Sequence, residues 1–193
     1  TSGIPALKQA IVEKLATENG VEVEPGQVVL SCGAKHSLYN ALMVLVEPGD
    51  EVILIAPYWM TYAEQVRLAG GIPVAVRASL AEGFVPSLEA IASAVTPRTR
   101  AIILNSPSNP TGAVYPRELV QGIAGLASKH DFWIISDEIY ERLVYGAKAT
   151  SPASLGKDVA GRTVTINGVS KTYAMTGWRI GFAAAPAAVS AAI

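Results

Sequence analysis

The sequence is poor in the features that mark several protein classes. It has a single cysteine, Cys32, among 193 residues. No internal disulfide can form, and a reducing compartment, the cytoplasm, is the expected location. Charge is scarce: 15 Lys+Arg against 16 Asp+Glu make up 16% of the chain and leave a net charge of −1. That supplies no global field for nucleic acid or an anionic membrane surface. Long apolar runs are missing too. The longest candidate, Ile180 to Ile193, is short, Ala-rich and interrupted by Pro186, whereas a membrane span needs roughly 20 apolar residues. No basic start followed by an apolar run marks a signal peptide. An initiating Met is also lacking. The chain opens on Thr1 and stops at Ile193 inside a pattern that reads as a starting helix, so a piece of a longer protein is expected. Apolar residues are plentiful: half of the chain is hydrophobic. That is ample for a core and excludes intrinsic disorder. The length suits one large domain or at most two small ones.

Strand and helix patterns alternate along the chain. Ile4, Leu7, Ile11, Val12 and Leu15 recur at helical spacing, and Asn19-Gly20 closes that segment. Val28 to Leu30 reads as a short strand, followed by a helix to about Val46 that Pro48-Gly49-Asp50 stops. Glu51 to Ala56, Ile72 to Val76, Ala101 to Leu104, Phe132 to Ile135 and Thr163 to Ile166 read as strands, with Arg179 to Ala184 as one more. Helix patterns cover Tyr62 to Leu68, Leu88 to Val95 with Ser87 as its cap, and Pro116 to His130. Gly146 to Gly161 is the only long irregular stretch. Continuous apolar strands separated by helices indicate a three-layer α/β/α domain on a mostly parallel sheet.

In open α/β sheets ligands bind beyond the carboxyl ends of the strands, so the residues there carry the functional reading. After Leu30 comes Ser31-Cys32-Gly33-Ala34-Lys35, a Gly turn opening a helix. Its free N–H groups suit a phosphate, although most such turns are only connections. After Leu104 comes a loop of turn formers that either merely connects or presents Asn109 to a ligand. After Ile135 stand Asp137 and, three residues on, Tyr140. Asp137 is either a helix cap or a carboxylate in a low-dielectric site awaiting a cation. After Ile166 come Ser170, Lys171 and Arg179. A lysine just past a buried strand is a candidate nucleophile, because desolvation lowers its pKa. Arg179 offers a planar fork for phosphate. Taken together, N–H groups, Ser and Arg suit a phosphate, a carboxylate suits a pyridinium nitrogen, Asn and Tyr suit a phenolic oxygen, and a lysine suits an aldehyde. Pyridoxal 5'-phosphate (PLP) has all of these groups.

Three runs then resemble the class I/II aminotransferases of fold type I. They are Asn105-Ser-Pro-Ser-Asn-Pro-Thr-Gly112, Ser136-Asp-Glu-Ile-Tyr140 and Ser170-Lys-Thr-Tyr-Ala-Met-Thr-Gly-Trp-Arg-Ile-Gly181. Gly3-Ile4-Pro5-Ala6-Leu7 and Ala56-Pro57-Tyr58-Trp59 are similar to further segments of that family, in the family's order and over essentially the whole chain. The branch resembled is that of bacterial aspartate aminotransferases. The resemblance implies that Lys171 forms the Schiff base with PLP and that Asp137 pairs with the pyridine nitrogen. It implies that Tyr140 and Asn109 bond the phenolic oxygen and that Trp59 stacks on the ring. The phosphate falls to the N–H groups of Ala34 and Lys35 with Ser170 and Arg179. Lys35, Trp59 and Asn109 are the implied substrate contacts, with Lys35 toward the distal carboxylate of an acidic substrate. Lys35 is otherwise an exposed lysine at a helix start. His36 is given no role beyond solvent exposure or a local cap, and Cys32 is expected to be a small buried hydrophobe.

The implied activity is ping-pong transfer of an amino group between an acidic or aromatic amino acid and a 2-oxo acid, in a homodimer. No metal is implied. Two alternatives stay open: a lyase or decarboxylase on the same scaffold, or a non-catalytic PLP-binding module of a regulator. Residues 1–193 read as an incomplete PLP-binding large domain. The family's aromatic residue upstream of Gly3-Ile4-Pro5, and its arginine for the substrate α-carboxylate in a C-terminal small domain, fall outside them. Gly168 stands where relatives often place a serine, so a phosphate contact from that position is expected to be backbone only.

Overall fold

The computed structural model describes residues 2–193; Thr1 lies outside them. Seven strands form one sheet: β1 (Val28–Ser31), β2 (Glu51–Ala56), β3 (Ile72–Arg77), β4 (Thr99–Asn105), β5 (Trp133–Asp137), β6 (Thr163–Gly168) and β7 (Gly181–Ala184). Their order is β1-β7-β6-β5-β4-β2-β3. The β3, β2, β4, β5 and β6 neighbours pair in parallel, whereas β7 runs antiparallel to both β6 and β1. The three-layer reading and the mostly parallel sheet are both found.

The apolar strands are continuous because each feeds two cores. Side chains along a strand alternate between faces. Val52 and Leu54 of β2, Ala101 and Ile103 of β4, and Ile135 of β5 pack on one face with Leu38, Leu42, Tyr62 and Val66. Those partners come from α2 (Ala34–Leu45) and α3 (Thr61–Leu68). The intervening Ile53, Ile55, Ile102, Leu104 and Ile134 pack on the other face with Ile91, Val120, Ile123 and Ala127, from α4 (Leu88–Ser93) and α5 (Arg117–His130). A third cluster joins Ile11 of α1 (Pro5–Lys14) and Leu15 to Val28, Phe182 and Ala184 at the sheet's β1–β7 edge. Ser87 caps α4 by accepting from the Ala90 N–H, as its sequence position predicts. The stretch read as irregular is less so: α6 (Lys157–Ala160) follows a short 3-10 turn, Pro152–Leu155.

Gly181 fixes where the reversed strand meets the site. It pairs with Gly168 of β6 on one side and Ser31 of β1 on the other. A Cβ there would overlap the Ala34 nitrogen and the Gly33 carbonyl carbon, both backbone. Backbone cannot step aside as a flexible side chain can. We expect Gly181→Ala to cost at least about 3 kcal/mol in urea unfolding, at the upper end of overpacking effects. A cost under 1 kcal/mol would show that this junction is looser than described.

Candidate active site

The carboxyl ends of β4, β5 and β6 and the turn after β1 surround a cavity of about 360 Å³. Ala34, Lys35, Trp59, Asn109, Asp137, Tyr140, Ser170, Lys171 and Arg179 all line it. Every site residue expected from the sequence is therefore brought to one place. A larger cavity, about 690 Å³, lies on the far side of the turn after β5 and holds none of them.

Asp137 ends β5 and is 5% exposed. The Tyr62 hydroxyl donates to its Oδ2 at 2.7 Å, and the Ile139 N–H donates to its Oδ1 at 3.2 Å. Burial still pushes its carboxyl above the ordinary value, with those two donors pulling the other way. The Tyr62 phenol is pushed well up by burial and by Asp137. Among the described residues, the site thus holds a buried carboxyl group with two neutral donors and no ion-pair partner. Asp137 is also no helix cap, since a turn and not a helix follows β5. Tyr140 lies across the cavity, where the Asn109 amide donates to its hydroxyl at 3.4 Å. Asn105, the last residue of β4, sets this geometry. Its amide donates to the Asp137 carbonyl at 3.0 Å, and its Oδ1 accepts from the Asn109 N–H at 2.7 Å.

Tyr62 and Asn105 carry no role in the sequence reading. Tyr62 lies within an ordinary helix pattern, and nothing in spacing alone joins α3 to the end of β5. A signal existed for Asn105: it is the polar residue that directly follows the apolar run Ala101–Leu104.

The wall opposite is aromatic and basic. Trp59 meets Tyr62 edge to face at 5.7 Å between centroids, and the Lys35 ammonium sits 4.3 Å from the Trp59 ring centre. Lys35 is exposed, as a helix-start lysine would be, yet its charge stands at the cavity's rim. Gly33 precedes α2 at φ 91°, a conformation glycine adopts without penalty. A Cβ there would strike the Arg179 guanidinium. The first N–H groups of α2, at Ala34 and Lys35, are among those a helix leaves without an internal partner. Arg179 is not in a strand, contrary to the sequence expectation; β7 starts at Gly181. It occupies a left-handed position (φ 52°) closing a 3-10 turn, and its guanidinium donates to the Thr176 and Cys32 carbonyls at 2.9 and 3.3 Å.

Two further expectations need correction. Cys32 is exposed, not buried, because β1 ends at Ser31 and leaves it in the turn at the sheet's edge. Lys171 is exposed as well. Its Nζ lies 5.8 Å from the Tyr140 ring centre, on a loop open to solvent, so the desolvation expected past a buried strand is missing here. Gly168 offers more than a missing side chain. A Cβ would come within 2.7 Å of the Ile180 carbonyl, so this junction excludes one. His36 behaves as a local cap, its Nδ1 accepting from the Cys32 N–H at 3.2 Å.

The profile of the family "Aminotransferase class I and II" matches residues 1–193. This chain belongs to that family. The chain is 50% identical over 188 residues to a probable aspartate/prephenate aminotransferase of Thermus aquaticus, covering 97% of this chain and 48% of that protein. It is 49% identical to the aspartate aminotransferase of Geobacillus stearothermophilus, with 96% and 48% covered. The Thermus thermophilus aspartate aminotransferase solved with maleate superposes at a TM-score of 0.96 and 48% identity, over 99% of this chain and 49% of that one. An aromatic aminotransferase from Pyrococcus horikoshii also gives 0.96, at 41% identity, with 99% and 52% covered. The chain thus spans about half the length of the relatives it matches. Aminotransferases of this family depend on PLP.

The chain carries a second buried acid next to the first. Glu138 is 4% exposed on the opposite face of β5 from Asp137. Its carboxyl is pushed up from 4.5 to about 7, chiefly by burial and further by Glu141. The Ser151 and Ser136 hydroxyls and Lys14 oppose that rise. The folded state therefore holds this proton more tightly than the unfolded chain. The stabilisation is complete below 4.5 and is lost as pH rises through about 7. We expect the melting temperature to fall between about pH 5 and pH 8, and Glu138→Gln to flatten that fall. An unchanged pH dependence in Glu138→Gln would contradict the assignment.

Proposed function

We propose that residues 1–193 are the PLP-holding large domain of an aspartate-type aminotransferase. The complete protein would move an amino group between an amino acid, aspartate first, and a 2-oxo acid. One observation carries the reading: a buried carboxylate without a cation, an Asn–Tyr pair, a lysine and a Gly33–Arg179 cradle converge on one cavity beneath Trp59. These residues fit PLP. Its cationic ring nitrogen supplies the partner that Asp137 lacks, and its phosphate suits a turn in which Gly33 leaves room for Arg179.

Bound there, PLP supplies an aldehyde that joins amines and a ring that accepts the electron pair left at the substrate Cα. This chain's residues do the rest. Asp137 keeps the ring nitrogen protonated. Asn109 and Tyr140 would hold the ring's phenolic oxygen, and Trp59 would pack against the ring. Ser170, Arg179 and the N–H groups of Ala34 and Lys35 hold the phosphate. Lys171 would be the residue that meets the aldehyde, and its Nζ would be the base that carries the Cα proton. Lys35, at the rim over Trp59, is placed for the distal carboxylate of an acidic substrate. The maleate in the Thermus thermophilus structure, a dicarboxylate, supports that choice. Met60 and Trp178, at 76% and 69% exposed beside Trp59 and Arg179, offer apolar surface to a second copy in a homodimer. A reducing compartment, the cytoplasm, suits an exposed free Cys32.

The test is a single-turnover experiment on the complete protein loaded with PLP. Aspartate is expected to bleach the bound-cofactor band while releasing one equivalent of its 2-oxo acid, with an apolar amino acid slower. Carbon dioxide or free ammonia instead would indicate a decarboxylase or lyase. A loaded protein inert to every amino acid would favour the regulator module.

A further inference from the structure

The turn after β5 has an inner and an outer side. Alternation along the strand sends Asp137 toward α3 and the cavity, and sends Ser136 and Glu138 toward α1. Tyr140 joins Asp137 on the inner side. Glu141, three residues after Glu138, joins it on the outer side. There α1 continues into a π-helical turn, Leu15–Asn19, closed by Gly20 at φ 66°. Such wide turns are rare and concentrate near functional sites. This one delivers the Asn19 side chain between two carboxylates. Its amide donates to Glu141 Oε2 at 2.6 Å and to Glu138 Oε2 at 3.2 Å. Its carbonyl accepts from Lys14 at 2.7 Å, and Lys14 also pairs with Glu141. Glu138 Oε1 accepts from the Ser136 and Ser151 hydroxyls at 2.9 and 2.7 Å. Asn19 itself does not line the cavity.

We propose that Asn19 is a positioning residue for Asp137 and Tyr140: its amide ties Glu138 to Glu141 from outside and so fixes the inner side chains of the same turn. Without that donor two acidic side chains face each other, and the turn they flank spreads. The cofactor consequence rests on the function proposed above; the brace itself does not.

Asn19→Asp keeps the shape, removes both donors and adds a third negative charge. In the chain without cofactor, the Glu141 and Leu143 amides close the turn onto the Glu138 and Tyr140 carbonyls. They are expected to exchange with deuterium about tenfold faster in Asn19→Asp, with the α5 amides unchanged. With PLP added, the dissociation constant rises about tenfold. Combining Asn19→Asp with Glu141→Gln sets a donor against an acceptor again and returns both readings toward the starting protein. Unchanged turn amides, uniform acceleration across the sheet, or no recovery in the double variant would each overturn the proposal. Exchange needs no cofactor. A starting chain that fails to take up PLP would sink the cofactor reading, while exchange and its recovery still decide the brace.

Discussion

Replacing Lys171 by Ala in the complete, PLP-loaded protein should lower kcat by about 10⁴-fold or more, the upper range for a positioned acid–base group. The cofactor should stay bound without a covalent link, because Asp137, Arg179 and the turn at Gly33 remain. Lys171 is exposed and packs little, so the same change should move stability by under about 0.5 kcal/mol. That separation makes the variant informative: a large kinetic loss at constant melting temperature is chemical in origin. A loss below tenfold would mean that another group carries the Cα proton.

Asp137→Asn should be the second most damaging change, lowering kcat by about 10²–10³-fold, the size expected when one partner of a buried charge pair is removed. The shape survives, since the amide oxygen can accept from the Ile139 N–H while the amide NH2 donates to the Tyr62 hydroxyl oxygen. The charge that holds the ring nitrogen protonated does not. Stability should move the other way. Burial raises the Asp137 pKa, so its ionised form costs folding free energy once pH exceeds that raised value. The Asn variant is spared the cost, and without cofactor it should be at least as stable at alkaline pH. A thermal melt of both apo chains checks this. Strain of this kind, kept at a site for the sake of a ligand, is a common stability–activity trade-off. A variant that is both fully active and less stable would contradict the role given to Asp137.

Much of this was legible in the sequence, for a physical reason. β2, β4 and β5 are apolar on both faces because helices cover both, and such runs mark central parallel strands. Polar residues at or beyond the ends of β4, β5 and β6, Asn109, Asp137 and Lys171, stand out against that background. What spacing could not reach were contacts between distant elements. Tyr62 meets Asp137 across 75 positions, and Asn19 meets Glu138 across 119. Both depend on how helices dock, which local patterns do not encode. The exposure of Cys32 and Lys171 was misjudged for a related reason. Each follows a strand, Cys32 by one residue and Lys171 by three, and that suffices to leave the core.

The central claim is that this chain by itself assembles a PLP site on Lys171. The most direct measurement mixes the 193-residue chain with PLP, reduces with borohydride and maps the labelled peptide. The account predicts a pH-sensitive absorption band before reduction and a label confined to Lys171. No band, or label spread over exposed lysines such as Lys129 and Lys157, would contradict it.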